Sequence, residues 1–297
     1  MRRANRSSAG LVVALIALVG IAHSAGDQGL VLRYRLAKGD KVTYNYSGSA
    51  RAQLDVQKGL TTAKAEVSLQ MKVVAEVLDT KPNGDLQVQA QIVSGTVKMK
   101  SQGQQQSTPV QPAVANYEVT SRGEIKTAEL LSGEPAAIGT IGLAFMPDDA
   151  FLLGGVGIFP ERALKVGDKW KGVTRLTNPV TGETEPFSYE SKLLAQEQVK
   201  GRPCVKVRTT ATRKLSQTID APDGSRQARV SIITTDEITW RFDYQRGVIV
   251  LAEDTDRAAM AMEGTGAEGG PASAKMAGVL NSRSVLTEFN GKSTGPS

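Results

Sequence analysis

Asp254 and Asp256 stand two residues apart. If their segment is a strand, both carboxylates lie on one face. Such a pair could hold a hard cation or work as an acid–base couple. A second acidic pair, Asp148-Asp149, follows Pro147 in a glycine-rich apolar stretch. Solvated turn carboxylates are far commoner than functional ones, because a perturbed acid needs a cleft around it. No metal site or catalytic residue is therefore assigned, and Asp254 and Asp256 are kept only as the candidates to examine.

Other chemistry is scarce. The chain of 297 residues has one histidine, His23, and one cysteine, Cys204. Arg2, Arg3 and Arg6 precede an apolar run at residues 11–22, and Ala22-His23-Ser24 has the small-x-small spacing of a cleavage site. This is the layout of a secretory signal over residues 1–24, cut near Ser24. The run is short for a membrane span, so the mature chain is expected to carry none. Arg2-Arg3 leaves the export route open. Export of this kind means periplasm or exterior.

Cleavage would remove His23, leaving no histidine. A Ser-His-Asp triad, a Cys-His pair and a histidine-containing zinc site would then all be out of reach, so the expectation is a protein that is not an enzyme. A lone Cys204 cannot close an internal disulfide; it reads as a small packed strand residue. Removing three arginines leaves 33 basic residues against 30 acidic, a net +3 in place of +6. The linear sequence shows no basic cluster, and so no nucleic-acid partner is expected.

Gly264-Thr265-Gly266-Ala267-Glu268-Gly269 matches G-x-G-x-x-G letter for letter. The dinucleotide motif requires a helix directly after it, and Gly270-Pro271 cannot open one. No cofactor is expected. Asn45-Tyr46-Ser47 is a glycosylation sequon on an expected strand.

The elements available to position any site are strands. Residues 65–77 are apolar at every odd position, from Ala65 through Leu69, Met71 and Val73 to Val77, and polar at all but one even position. A period of two describes a strand with one buried face. Pro82-Asn83-Gly84 is a turn. The return strand carries Leu86, Val88, Ala90 and Ile92 on one face, and its phase slips near Ser94-Gly95, as a bulge would cause. Residues 30–36 read as a first strand, 101–112 as an exposed loop, 114–130 as a hairpin about Arg122-Gly123, and 264–274 as a loop of small residues.

The second half restarts the first. Lys38-Gly39-Asp40 corresponds to Val166-Gly167-Asp168, the return strand 86–92 to 205–211, and Arg122-Gly123 to Arg246-Gly247. The expected layout is a first β unit over 28–132, a glycine-rich apolar linker or lid over 133–160, a second β unit over 161–290 and a disordered tail over 291–297. The segment Phe159-Pro160 to Val166-Gly167-Asp168-Lys169-Trp170 resembles a Pro…V-G-D-x-W motif of uncharacterised exported bacterial β-rich proteins. The resemblance implies export and a β-rich fold, and brings no activity with it. The long curved strands are similar in fold to half-barrel lipoprotein carriers.

The expected fold is all-β: two similar antiparallel units of long bent strands, as half-barrel or sandwich, related by internal duplication. A long one-faced sheet must cover its apolar face. The primary expectation is a non-catalytic exported cell-envelope protein, a structural or partner-binding module. The alternatives are a periplasmic carrier of lipid or another apolar ligand, and a carboxylate-only hydrolase. A bound apolar ligand is expected against Leu69, Met71, Val73, Val88 and Ala90.

Overall fold

The computed structural model describes residues 29–56, 61–101, 103–133, 136–138, 143–145, 157–177, 184–220, 227–265 and 271–294. The expected signal, Asp148-Asp149 and Gly266–Gly269 of the glycine motif lie outside them. The described residues contain no helix, and so no helix long and apolar enough to cross a membrane.

The strands are β1 (Lys41–Val56), β2 (Thr61–Thr80), β3 (Leu86–Ser101), β4 (Gln104–Pro109), β5 (Ala113–Val119), β6 (Ile125–Ser132), β7 (Ala136–Ile138), β8 (Leu143–Phe145), β9 (Lys169–Thr177), β10 (Thr184–Val199), β11 (Arg202–Asp220), β12 (Gln227–Asp243), β13 (Val248–Thr265), β14 (Pro271–Phe289) and β15 (Lys292–Ser293). β7 and β8 pair with each other; all the rest belong to one antiparallel sheet. Its order is β6-β5-β3-β2-β1-β14-β13-β12-β11-β10-β9, with β4 added to β3 and β15 to β14. The two expected units are thus two meanders in one continuous sheet, joined where the first strand pairs with β14.

The repeat is built twice in the same geometry. In the first copy Gly39 N–H donates to Val77 O (2.8 Å) and Val77 N–H to Asp40 O (2.9 Å); in the second Gly167 N–H donates to Leu193 O (2.8 Å) and Leu193 N–H to Asp168 O (2.9 Å). Asp40 and Asp168 each accept the amide of the residue three before, Ala37 and Lys165. One residue past the anchor, each copy bulges: Leu78 is the extra residue in β2 and Leu194 in β10. The slip expected near Ser94 is a bulge at Val93.

Four local expectations change; the first is that residues 264–265 and 271–274, expected in a loop, are the end of β13 and the start of β14. Residues 104–109 form a strand rather than a loop; all six side chains are exposed, so no buried face marks them in the sequence. Residues 30–36 do not join the sheet, and Leu30 bridges only Leu164, which is itself outside the strands, because they cover the sheet face instead of extending it. Gly291–Thr294, expected within a disordered tail, turn back on β14, with Thr294 Oγ1 donating to Leu286 O at 2.7 Å.

One face of the sheet is apolar and concave. The buried cluster runs from Val73 and Ile92 on one wall through Tyr44 and Leu286 to Trp240, Val207 and Leu193 on the other. A single sheet reaches this only by curling on itself.

Candidate functional site

The hydrogen-bond register converts the sequence into rows across the concave face. One row is Leu193–Val207–Trp240–Ala252–Ser284–Tyr46–Met71–Gly95. Two residues along, it is Ser191–Thr209–Ile238–Asp254–Ser282–Gly48–Leu69–Val97, and then Tyr189–Ala211–Asp236–Asp256–Leu280–Ala50–Val67–Met99. Further on come Thr234–Ala258–Gly278–Ala52–Ala65 and a row with Met260, Met276 and Ala63. The face therefore changes character along the strands.

At one end it is plugged. The segment 30–36 and residues 157–164, which precede β1 and β9, cross the concave face together. They hold each other through Leu30 and Leu164 (2.8 and 2.9 Å), and the turns through Tyr34 N–H to Ser121 O (2.7 Å) and Phe159 N–H to Arg122 O (2.9 Å). Trp170 Nε1–H donates to Ile158 O at 2.9 Å. Phe159 stacks edge-on against Phe242 at 4.7 Å and tilts against Trp240 at 5.3 Å, while Tyr34 meets Phe242 at 5.2 Å. Offset and edge-on pairs add about 0.5–1.5 kcal/mol each beyond the area they bury. Burial pushes the Tyr34 and Tyr44 hydroxyls well above the usual phenol range; Tyr44 donates to Ile249 O at 2.8 Å. The apolar space left here, between Tyr34, Tyr44, Val77 and Val88, is about 20 Å³.

Below the plug lies a polar belt. Ser191 and Thr209 share a hydrogen bond of 2.8 Å, and Trp240 Nε1–H donates to Thr209 Oγ1 at 3.0 Å. Asp254 and Asp256 do share a face, and the structure adds Asp236, paired directly with Asp256. Directly paired side chains stand about 5 Å apart at Cβ. One oxygen of each carboxylate is shut off from solvent, and Asp236 is only 3% exposed. Sequence spacing could not bring in Asp236, which comes from the neighbouring strand. Among the described residues no group of three His, Cys, Asp or Glu is placed to hold a metal ion.

Beyond the acids the face opens. Ala52, Ala65, Ala258 and Gly278 are half-buried, as are Met260, Met276 and Ala63 in the next row. These residues were not legible as a site. Alanine and glycine give weak apolar signal, and part of β14 reads as loop in the sequence.

The five residues expected to meet a ligand are all buried on the concave face, at different heights. Val88 and Ala90 pair with Val77 and Ala75 at the plugged end, Val73 pairs with Ile92, and Met71 faces Gly95. Leu69 is level with Asp254 and leads toward the open half. Cys204 is buried beside Asp243 on the other face, and burial pushes its thiol up to about 12.

No family model matches this chain, and no curated protein does. Among solved structures it is similar to a chain in one titled "Lipid-protein interactions in lipovitellin", at 13% identity and a TM-score of 0.44, over 88% of this chain and 26% of that one. The chain spans about a quarter of the length of that structure's chain.

Proposed function

We propose that this protein is a non-catalytic, exported envelope module that holds an apolar ligand, such as a lipid acyl chain, in the open half of its concave face. The supporting observation is the gradient of exposure along that face. Its own aromatic side chains fill one end, and the rows through Ala65–Gly278 and Met260–Met276 stay half-exposed. Small residues leave room for a chain, and methionine adapts to irregular apolar shapes. An apolar wall of this kind releases about 25 cal/mol per Å² when covered.

The test is lipid extraction and native mass spectrometry on protein from its host membrane fraction, together with titration of a fluorescent fatty acid. Co-purified lipid and saturable binding, both lost in Met276→Asp with the fold retained, are expected. No lipid and no saturable binding would overturn the reading.

The hydrolase reading draws on Asp236. It brings a third carboxylate to the face where Asp254 and Asp256 already stand, paired directly with Asp256, and two carboxylates on one face can divide the acid and base roles of glycoside hydrolysis. Asp254→Asn and Asp256→Asn should then abolish any turnover found on a glycoside panel; unchanged turnover would remove both as catalysts.

A further inference from the structure

The outer face of the sheet is hollow where β14, β1, β2 and β3 lie side by side. Two adjoining grooves of about 640 and 650 Å³ run along it. The turn at Val199-Lys200 borders the first and Gln105 of β4 the second. Three strand spacings make the trough about 14 Å wide.

The register sorts outward-facing side chains of these four strands into four rows along the grooves: Val285–Asn45–Lys72–Ser94, Arg283–Ser47–Gln70–Thr96, Asn281–Ser49–Ser68–Lys98 and Val279–Arg51–Glu66–Lys100. Every row carries a cation. Successive rows are two residues apart, so positive charge recurs about every 6.7 Å along the trough. The only acid within the rows is Glu66, 3.4 Å from Arg51. Among the described residues Lys72 and Arg283 make only long contacts with acids outside the rows, to Glu288 at 3.9 Å and Glu253 at 3.8 Å. Lys98 and Lys100 make no ion pair among the described residues, and Lys200 adds a further cation at the first groove.

We infer that this trough binds a linear acidic polysaccharide, one bearing carboxylate or sulfate groups. Four features select that occupant. A ladder of regularly spaced cations fits a polymer with regularly spaced anions. Hydroxyl and amide side chains fill the positions between the cations and match a polyhydroxylated chain. The rows hold no aromatic side chain, and Tyr46, which borders the first groove, is buried toward the opposite face, so bases have no exposed stacking platform and a single-stranded nucleic acid is disfavoured. The strand backbones are already paired on both sides, so a peptide cannot add as a strand. Linear sequence hid the ladder because the cations come from four strands that only the register brings together. The trough lies on the face opposite the proposed apolar site and does not depend on it.

The test is affinity electrophoresis of the full chain in gels containing dextran sulfate or polygalacturonate, at about 20 mM and at higher salt, since exposed charge contacts are screened as salt rises. Uncharged dextran, oligo(dT), polyglutamate and anionic vesicles are the comparison probes. Salt-sensitive retention by the acidic polysaccharides is expected, weakened about tenfold or more by Lys72→Gln, Arg283→Gln and Lys98→Gln together. Lys171→Gln, Lys192→Gln and Lys206→Gln together remove equal charge elsewhere and should change it less than about twofold. The exposed single change Lys98→Glu carries the test if the triple variant fails to fold. No retention at low salt, equal loss in both triple variants, or equally tight binding of oligo(dT), polyglutamate or vesicles through the same cations would overturn the proposal.

Discussion

The plug is held against the sheet at Gly247, and replacing this residue with alanine measures how firmly. Gly247 has φ +70°, and an added Cβ would drive into the amide nitrogen of Arg35 and stand 2.8 Å from the carbonyl oxygen of Arg33. Gly201 supplies the control, with φ +74° and nothing within 4 Å of its added Cβ. Both substitutions place an L-residue in the left-handed region, at about 1–2 kcal/mol. Both also narrow the unfolded ensemble, an effect that cancels between them. Only at Gly247 must backbone move, and overpacking of that kind costs about 1–3 kcal/mol more. Gly201→Ala should therefore lose about 1–2 kcal/mol and Gly247→Ala about 2–5 kcal/mol, leaving a domain of ordinary stability folded. Urea unfolding gives both values. Hydrogen exchange at the Tyr34 amide, bonded to Ser121 O, should accelerate in Gly247→Ala alone. Equal losses in the two variants, with Tyr34 protection unchanged, would show that residues 30–36 do not rest on this turn.

Trp240→Phe should lower stability by about 1–2 kcal/mol, since it removes the indole donor to Thr209 and leaves a small void; thermal melts check this. The Asp85 carboxyl is held below its usual range, first by its hydrogen bond from Lys126 at 2.5 Å and also by Asn83. A depressed folded pKa adds stability above the unfolded value, near 3.9, and this is lost as pH falls through the folded value. The urea midpoint of the native protein should thus drop on acidification below about pH 4, and Asp85→Asn should flatten that drop. Cys204, buried with its thiol raised to about 12, should resist alkylation at pH 8 in the native state and react at a rate that follows global opening with added urea.

The strand signal in this chain is strong where one face is buried and the other wet. Residues 65–77 alternate because Val73 and Met71 are buried on the concave face while Lys72 and Gln70 face the trough, and the sequence carries that plainly. It carries the repeat as well, since Gly39 and Gly167 take positive φ in turns whose aspartates accept the same amide. What it does not carry is lateral order. Asp236 joins Asp254 and Asp256, and Lys98 joins Lys72 and Arg283, only through pairing between strands distant in the chain. Residues 104–109 carry no strand signal because both faces are wet, and 30–36 carry one because a covering segment alternates as a strand does.

The seam between β1 and β14 also fixes when the sheet can be finished. The strand made first is paired with the long strand made last, Val42 against Phe289. Until β14 emerges during synthesis, the two meanders present raw edges at β1 and β13, which invite pairing with other chains. Late closure of so distant a contact makes folding slow. It also sets the start of β1 beside the end of β14 in mid-sheet, where Lys41 N–H donates to Asn290 Oδ1 at 2.7 Å, so the turns on either side of the seam form only once both strands are in place.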